Sequence, residues 1–358
     1  MAPPAWNTNQ KPFLTLVLII VGIMVFPVMA ILFFPYHIWR KYFQMLEGEE
    51  DWIKDLVSLF DDISKSDPFN TADLTYRVAH PKSIGVVKGE ITVADYLPEE
   101  LRVGFFANTG KTFPCWIRYS NGIYHEDNKK QTRGFALKIF KDGGKERFGQ
   151  DFILLSSPIL TFANPEQFRD GFWYRAKKIM PLLLVKYYLN GNFKSIYLLA
   201  TAAIYFNPDD ILNVPFFSVD PFAFGDKKIV KYHVTPTHRS APPKNPKTST
   251  TYLTEVMTKH LQESEVTYDF GIQFRQEGMS LDDAGHAWST EESPVVKLAS
   301  IRVPTQDFSK NFTLGEELSF SPINCLPEHR GLGVMNRVRN DVYKQMSKLR
   351  HGNRPDIS

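Results

Sequence analysis

Residues Phe13 to Tyr36, FLTLVLIIVGIMVFPVMAILFFPY, carry no charged side chain. In lipid a backbone must satisfy its own hydrogen bonds, so a run of this kind is confined to helix. At roughly 1.5 Å per residue it is long enough to cross a hydrocarbon core about 30 Å thick. The sequence therefore predicts one transmembrane helix over 13–36, kinked at Pro27. Trp6 on one flank and Tyr36 and Trp39 on the other supply amphipathic rings for the headgroup layer. The apolar run exceeds the roughly 7–15 residues of a signal-peptide core, and no small-x-small site follows it, so it reads as an uncleaved anchor. Lys11 precedes it and Arg40 and Lys41 follow it. That one-charge excess points the following domain to the cytoplasmic side of a membrane whose organelle stays open.

The anchor divides the chain into a tail at 1–12, a span at 13–36, a juxtamembrane linker at 37–69, a folded domain at 70–351 and a tail at 352–358. In the linker, Trp52, Ile53, Leu56, Leu59 and Phe60 recur at helical spacing, which predicts an amphipathic helix over 47–67. Beyond it, strands are expected at 84–93, 115–121, 132–140 and 151–155, separated by Gly, Asn and Pro clusters. Val266, Tyr268, Phe270, Ile272 and Phe274 alternate with Thr267, Asp269, Gly271, Gln273 and Arg275, giving a strand with one apolar face, and 295–303 reads as its neighbour. Helices are expected at 164–174, 182–205, 252–263 and 335–351. Helices and strands mix without strict alternation, which favours an α+β fold. With 43% apolar residues in 358, the chain can bury a substantial core.

Several function classes drop out. The 42 basic and 39 acidic residues are interspersed for a net +3, so no basic stripe offers itself to nucleic acid. Cys115 and Cys325 lack metal-site spacing and form no disulfide framework. In GFFANTGKT five residues separate Gly104 from Gly110, where a phosphate-cradling loop needs four. Neither a GxSxG elbow nor an HExxH helix is present. The apolar stretch 179–206 is interrupted by Lys186, Asn190, Asn192 and Lys194, and each lysine would cost about 2.5–3.5 kcal/mol in lipid. It reads as a broken helical hairpin, either against a membrane surface, at the mouth of a pocket, or as ordinary core.

Near the C-terminus, Arg339 and Tyr343 stand four apart on an expected helix and share one face. A guanidinium beside a phenol favours phenolate, a hard anionic ligand for ferric iron. The same spacing also suits a tyrosine at a core edge with the arginine paired to a carboxylate. Around this pair, PINCLPEHRGLGVMNRVRNDVY resembles the C-terminal signature of the catalase-related heme proteins, LPEHRPLG followed by INRxRxxVY. Gly331 stands where that signature has proline. Upstream, Arg77-Val78-Ala79-His80, then Arg118-Tyr119-Ser120-Asn121, then Arg133 to Lys138, resemble the same family's segments in the same order.

The resemblance implies a catalase-like antiparallel β-barrel surrounded by helices, here preceded by one transmembrane helix. It implies heme b, with Tyr343 as the metal ligand, Arg339 beside it, and Arg77 and Arg118 on the propionates. His80 matches the distal histidine that shuttles a proton, and Ser120 the serine that orients it. Ser156 falls where the family usually has an asparagine, a shorter side chain with a single donor. The implied activity is hydroperoxide chemistry. The anchor points to a lipid hydroperoxide as well as hydrogen peroxide, because fatty-acid hydroperoxides concentrate in bilayers. The alternative is a heme-holding or structural subunit of a membrane complex without turnover.

Overall fold

The computed structural model describes residues 49–71, 74–141, 146–205, 208–238 and 247–351. The expected span at 13–36 and the tails at 1–12 and 352–358 lie outside them. Among the described residues no helix is long and apolar enough to cross a membrane.

Alternation of apolar and polar side chains builds the centre. Among the described residues nine strands occur in chain order: β1 (Ser83–Val93), β2 (Thr112–Asn121), β3 (Arg133–Phe140), β4 (Arg147–Leu155), β5 (Phe216–Phe217), β6 (Phe222–Phe224), β7 (Lys228–Pro236), β8 (Val266–Phe274) and β9 (Val296–Val303). They run β5-β4-β3-β2-β1-β9-β8-β7, every neighbour antiparallel, and β5 also pairs β7. The sheet is thereby closed into an eight-stranded barrel, with β6 an additional strand on β7. Closure removes the exposed edges that an open sheet of this length presents. Ile117, Tyr119, Phe135, Leu137, Phe152 and Leu154 alternate along their strands and share one buried cluster. Aromatic rings fill much of it: Phe152 lies 4.8 Å from both Tyr232 and Phe270, centroid to centroid.

Seven helices accompany the barrel among the described residues: α1 (Glu49–Ser66), α2 (Pro165–Ala176), α3 (Met180–Leu189), α4 (Phe193–Tyr205), α5 (Tyr252–Glu263), α6 (Phe312–Glu317) and α7 (Gly333–His351). The stripe expected in the linker is realised: Leu56, Leu59 and Phe60 of α1 pack with Phe172 of α2 and Val338 and Val342 of α7. The described part of the 179–206 stretch, to Tyr205, is a hairpin, as its interruptions suggested. Chain reversal falls at Asn190–Asn192, where Gly191 adopts a left-handed φ of 67° that a side chain would strain. Lys186 avoids apolar burial by pairing with the buried Asp170 of α2.

The outer face of β3 and β4 carries a buried ion pair. Lys138 and Asp151 are cross-strand partners, each about 1% exposed at the side chain, with Nζ 2.9 Å from Oδ2. Asp151 also accepts the Ser321 backbone N–H at 3.1 Å, and its own N–H donates to Asn324 O at 2.7 Å. The pair thus pins segment 320–324 against the barrel. Replacing Lys138 with Met strands the buried Asp151 carboxylate, and denaturant unfolding should register a loss of about 3–5 kcal/mol. A loss below about 1 kcal/mol would mean that the pair is screened like a surface one.

Candidate functional site

Strand periodicity places the site on the outside of the barrel. Arg118 and Ser120, two apart on β2, project to one face, opposite the inward Ile117 and Tyr119. Their cross-strand partners on β3 are Ala136 and Gly134, so small residues leave a hollow beside them. At Gly134 a Cβ would meet Ser120 Oγ at 2.5 Å and His80 Nδ1 at 2.6 Å, so only glycine admits the two together. Segment 319–324, α7 and Phe60 of α1 roof this hollow, enclosing a cavity of about 560 Å³. His80, Ser120, Arg77, Arg118 and Tyr343 all line it. Five residues spread over 267 positions of sequence are brought to one site. The size suits a sizeable organic ligand.

His80 occupies a left-handed backbone conformation with φ 60°, an arrangement that costs of order 1–3 kcal/mol and persists only when its surroundings enforce it. Two contacts do so: its N–H donates to Gly122 O at 2.7 Å, and its carbonyl accepts from Arg118 Nη2 at 3.1 Å. The ring Nδ1 lies 3.1 Å from Ser120 Oγ. Burial, reinforced by Arg118, Arg339 and Arg77, pushes the imidazole down to about 3, against a backbone hydrogen bond at Asn121. The ring is therefore neutral throughout the physiological range.

Arg77 Nη1 and Arg118 Nη2 both bind the carboxylate of Glu316, at 2.7 and 3.1 Å, and Arg350 Nη2 binds its backbone oxygen at 2.7 Å and Oε2 at 3.4 Å. Burial alone would raise the carboxyl, but Arg77, Arg118 and Arg350 together hold it below its ordinary range. Burial, then Arg118 and Arg350, push the Arg77 guanidinium well below its own. Three cations thus face one anion. Arg118 Nε is buried without a hydrogen-bond partner among the described residues.

On α7, Arg339, Tyr343 and Arg350 follow one stripe. The Arg339 guanidinium lies 5.6 Å from the Tyr343 ring centroid and donates to Asp220 Oδ2 at 2.9 Å. Burial opposes its charge, yet Tyr343 and Asp220 more than offset this and raise it. Arg339 thus has both a tyrosine partner and a carboxylate partner. Ser156 stands apart. It does not line the cavity, and its Oγ accepts the Arg133 backbone N–H at 2.8 Å. Gly331 bridges Phe222, and a Cβ there would meet the buried Asn336 side chain at 2.7 Å. Sequence reasoning missed Glu316 and Arg350. Glu316 offered no spacing signal, and Arg350 was visible only as a further residue on the Tyr343 face.

The donor set fits a heme. The cavity has apolar walls from Phe60, Ile153 and Val342, surplus positive charge with one open Arg118 donor for propionates, an imidazole on one lining segment and a phenol on another. The barrel and its helices define a catalase-like fold. Among solved structures the chain is similar to a fungal catalase, at 16% identity and a TM-score of 0.63 over 80% of this chain and 61% of that one. It is similar also to catalase A from Saccharomyces cerevisiae, at 15% identity and 0.63 over 86% and 65%, and to a bacterial catalase, at 16% and 0.57 over 88% and 64%. The chain therefore spans less than two thirds of each of these proteins. No family model and no curated protein matches the sequence.

Three buried histidines make stability depend on pH. Burial lowers His80 to about 3, and lowers His233 and His329 to about 4, from 6.5. The unfolded chain takes up these protons first, so stability is full above about 6.5 and declines as pH falls toward 4. Thermal midpoints should drop steadily across that window. A midpoint constant down to pH 4 would contradict the neutral assignment.

Proposed function

We propose that the protein is a membrane-anchored heme b protein acting on hydroperoxides, lipid hydroperoxides foremost. The observation that carries this reading is one cavity lined by His80 with Ser120, by Tyr343, which Arg339 backs from beside the cavity, and by the Arg77–Arg118–Arg350 cluster. Heme, when bound, would supply the redox-active iron needed to cleave an O–O bond. Tyr343 would hold its iron, and Arg339 would favour the phenolate by its charge. Arg77 and Arg118 would hold the propionates through charge-assisted hydrogen bonds.

The chain's own contribution to turnover is proton handling. Ser120 engages His80 Nδ1 and fixes the tautomer, which presents Nε2 to the substrate. A neutral Nε2 accepts the hydroperoxide O–H proton and returns it to the departing oxygen. Because burial, reinforced by the arginines, keeps the ring neutral, this base needs no deprotonation at physiological pH.

Ser156 favours a second reading, a heme-holding subunit of a membrane complex with little or no turnover. Its hydroxyl is engaged by the Arg133 backbone and supplies no donor to the cavity, where the resembling proteins carry an amide.

Turnover of a fatty-acid hydroperoxide, with hydrogen peroxide in parallel, separates the two. The enzyme reading predicts faster loss of the lipid hydroperoxide and a fall of about 10²–10⁴-fold in His80→Ala with heme retained. It also predicts no acid limb near 6.5, since His80 titrates at about 3. A heme-loaded protein inert to both substrates would favour the second reading, and full activity in His80→Ala would refute the proton shuttle.

A further inference from the structure

The α3–α4 hairpin contributes nothing to the cavity, since none of its residues lines it. Its composition is lopsided. Between Asp170 and Asp209 there is no carboxylate, while Arg175, Lys177, Lys178, Lys186 and Lys194 supply five cations; Lys186 and Lys194 pair with Asp170 and Asp283, and Lys177 and Lys178 stand exposed. Leu184 and Tyr188 stand four apart on α3, and Phe193 and Tyr197 four apart on α4, so each pair shares a helix face. These four are 40, 38, 61 and 62% exposed. Tyr188 and Phe193 meet edge to face with centroids 5.7 Å apart, which joins the two faces into one patch. The opposite faces are committed to the protein: Leu183 and Tyr187 are buried with Tyr174 of α2.

We propose that this hairpin rests on the surface of an anionic lipid bilayer, with Leu184, Tyr188, Phe193 and Tyr197 at headgroup depth and Lys177 and Lys178 toward lipid phosphates. Length decides against insertion across the membrane. Helices of 10 and 13 residues reach about 15 and 20 Å, short of a core about 30 Å thick. Aromatic rings, two of them phenols, are the side chains favoured where an apolar and a wet layer meet. The charge is complementary as well, since the exposed Lys177 and Lys178 are attracted to an anionic surface. A second copy of the same face would set lysines against lysines. The hairpin packs through α2 onto α1, which begins at Glu49, shortly after the uncharged segment ends at Tyr36. The proposal shares the anchor with the functional reading above and is independent of heme.

The test uses the full chain reconstituted into phosphatidylcholine vesicles with and without phosphatidylserine. A fluorophore is attached at Tyr197→Cys, at Leu184→Cys, or at Tyr96→Cys as control. Cys325→Ser serves as background, because Cys115 is buried, and Tyr96, outside the hairpin, is 78% exposed. Shallow nitroxide lipids should quench the labels at 184 and 197 severalfold more than the label at 96, and more strongly with phosphatidylserine present. Absence of either difference overturns the proposal. So does a label at 197 already shielded from aqueous quencher in detergent alone, which would assign the face to a protein contact. Resistance to alkaline carbonate extraction reads the anchor by itself, so failure of the hairpin and failure of the anchor are told apart.

Discussion

The convergence of Arg77, Arg118 and Arg350 on the buried carboxylate of Glu316 holds together pieces of chain that otherwise share little. Arg77 comes from the segment ahead of the barrel, Arg118 from β2, Glu316 from α6 and Arg350 from the end of α7. A carboxylate 3% exposed is costly to bury alone, and each guanidinium would be costly without it. Because any one partner's loss strands the others, the cluster fixes the roof of the cavity relative to its floor. The match is also incomplete. Three cations against one anion leave a field that favours a further anionic group, and Arg118 Nε has no hydrogen-bond partner among the described residues.

The same field sets the chemistry next door. His80 is forced into a left-handed backbone by Arg118 and Gly122, and its ring is kept neutral partly by the arginines around it. One guanidinium thus positions the histidine through the backbone and tunes it through space. Gly134 completes the arrangement by being too small to displace either His80 or Ser120. Strain, charge and the missing side chain act on the same imidazole.

Much of this was legible in the sequence wherever a period or a motif was strong. Alternation marked β8 and pointed to β9 as its neighbour, a helical stripe marked α1, and the interruptions at Lys186 to Lys194 marked a hairpin. The catalase resemblance named His80, Ser120, Arg77, Arg118, Arg339 and Tyr343, and the fold brings them around one cavity or beside it. What escaped lay in pairings with no local signal. The two-residue β5, which closes the barrel between β4 and β7, is too short to show a period. β7 was missed although Val230, Tyr232 and Val234 alternate in it, because its neighbours Phe216–Phe224 blur the pattern. Glu316 reads as one more acid on a polar helix until three arginines arrive from 34 to 239 residues away. Ser156 was placed over the site by analogy with an asparagine, whereas strand pairing turns its hydroxyl to the Arg133 backbone.

The central claim is that Tyr343 and the arginine cluster hold a ferric heme, and the absorption spectrum of heme-reconstituted protein tests it most directly. Wild-type protein should bind heme stoichiometrically and show a high-spin ferric tyrosinate-type spectrum, and Tyr343→Phe should lose that spectrum or the heme. A wild-type protein that stays colourless after heme supplementation, or a Tyr343→Phe variant with an unchanged spectrum, would contradict it.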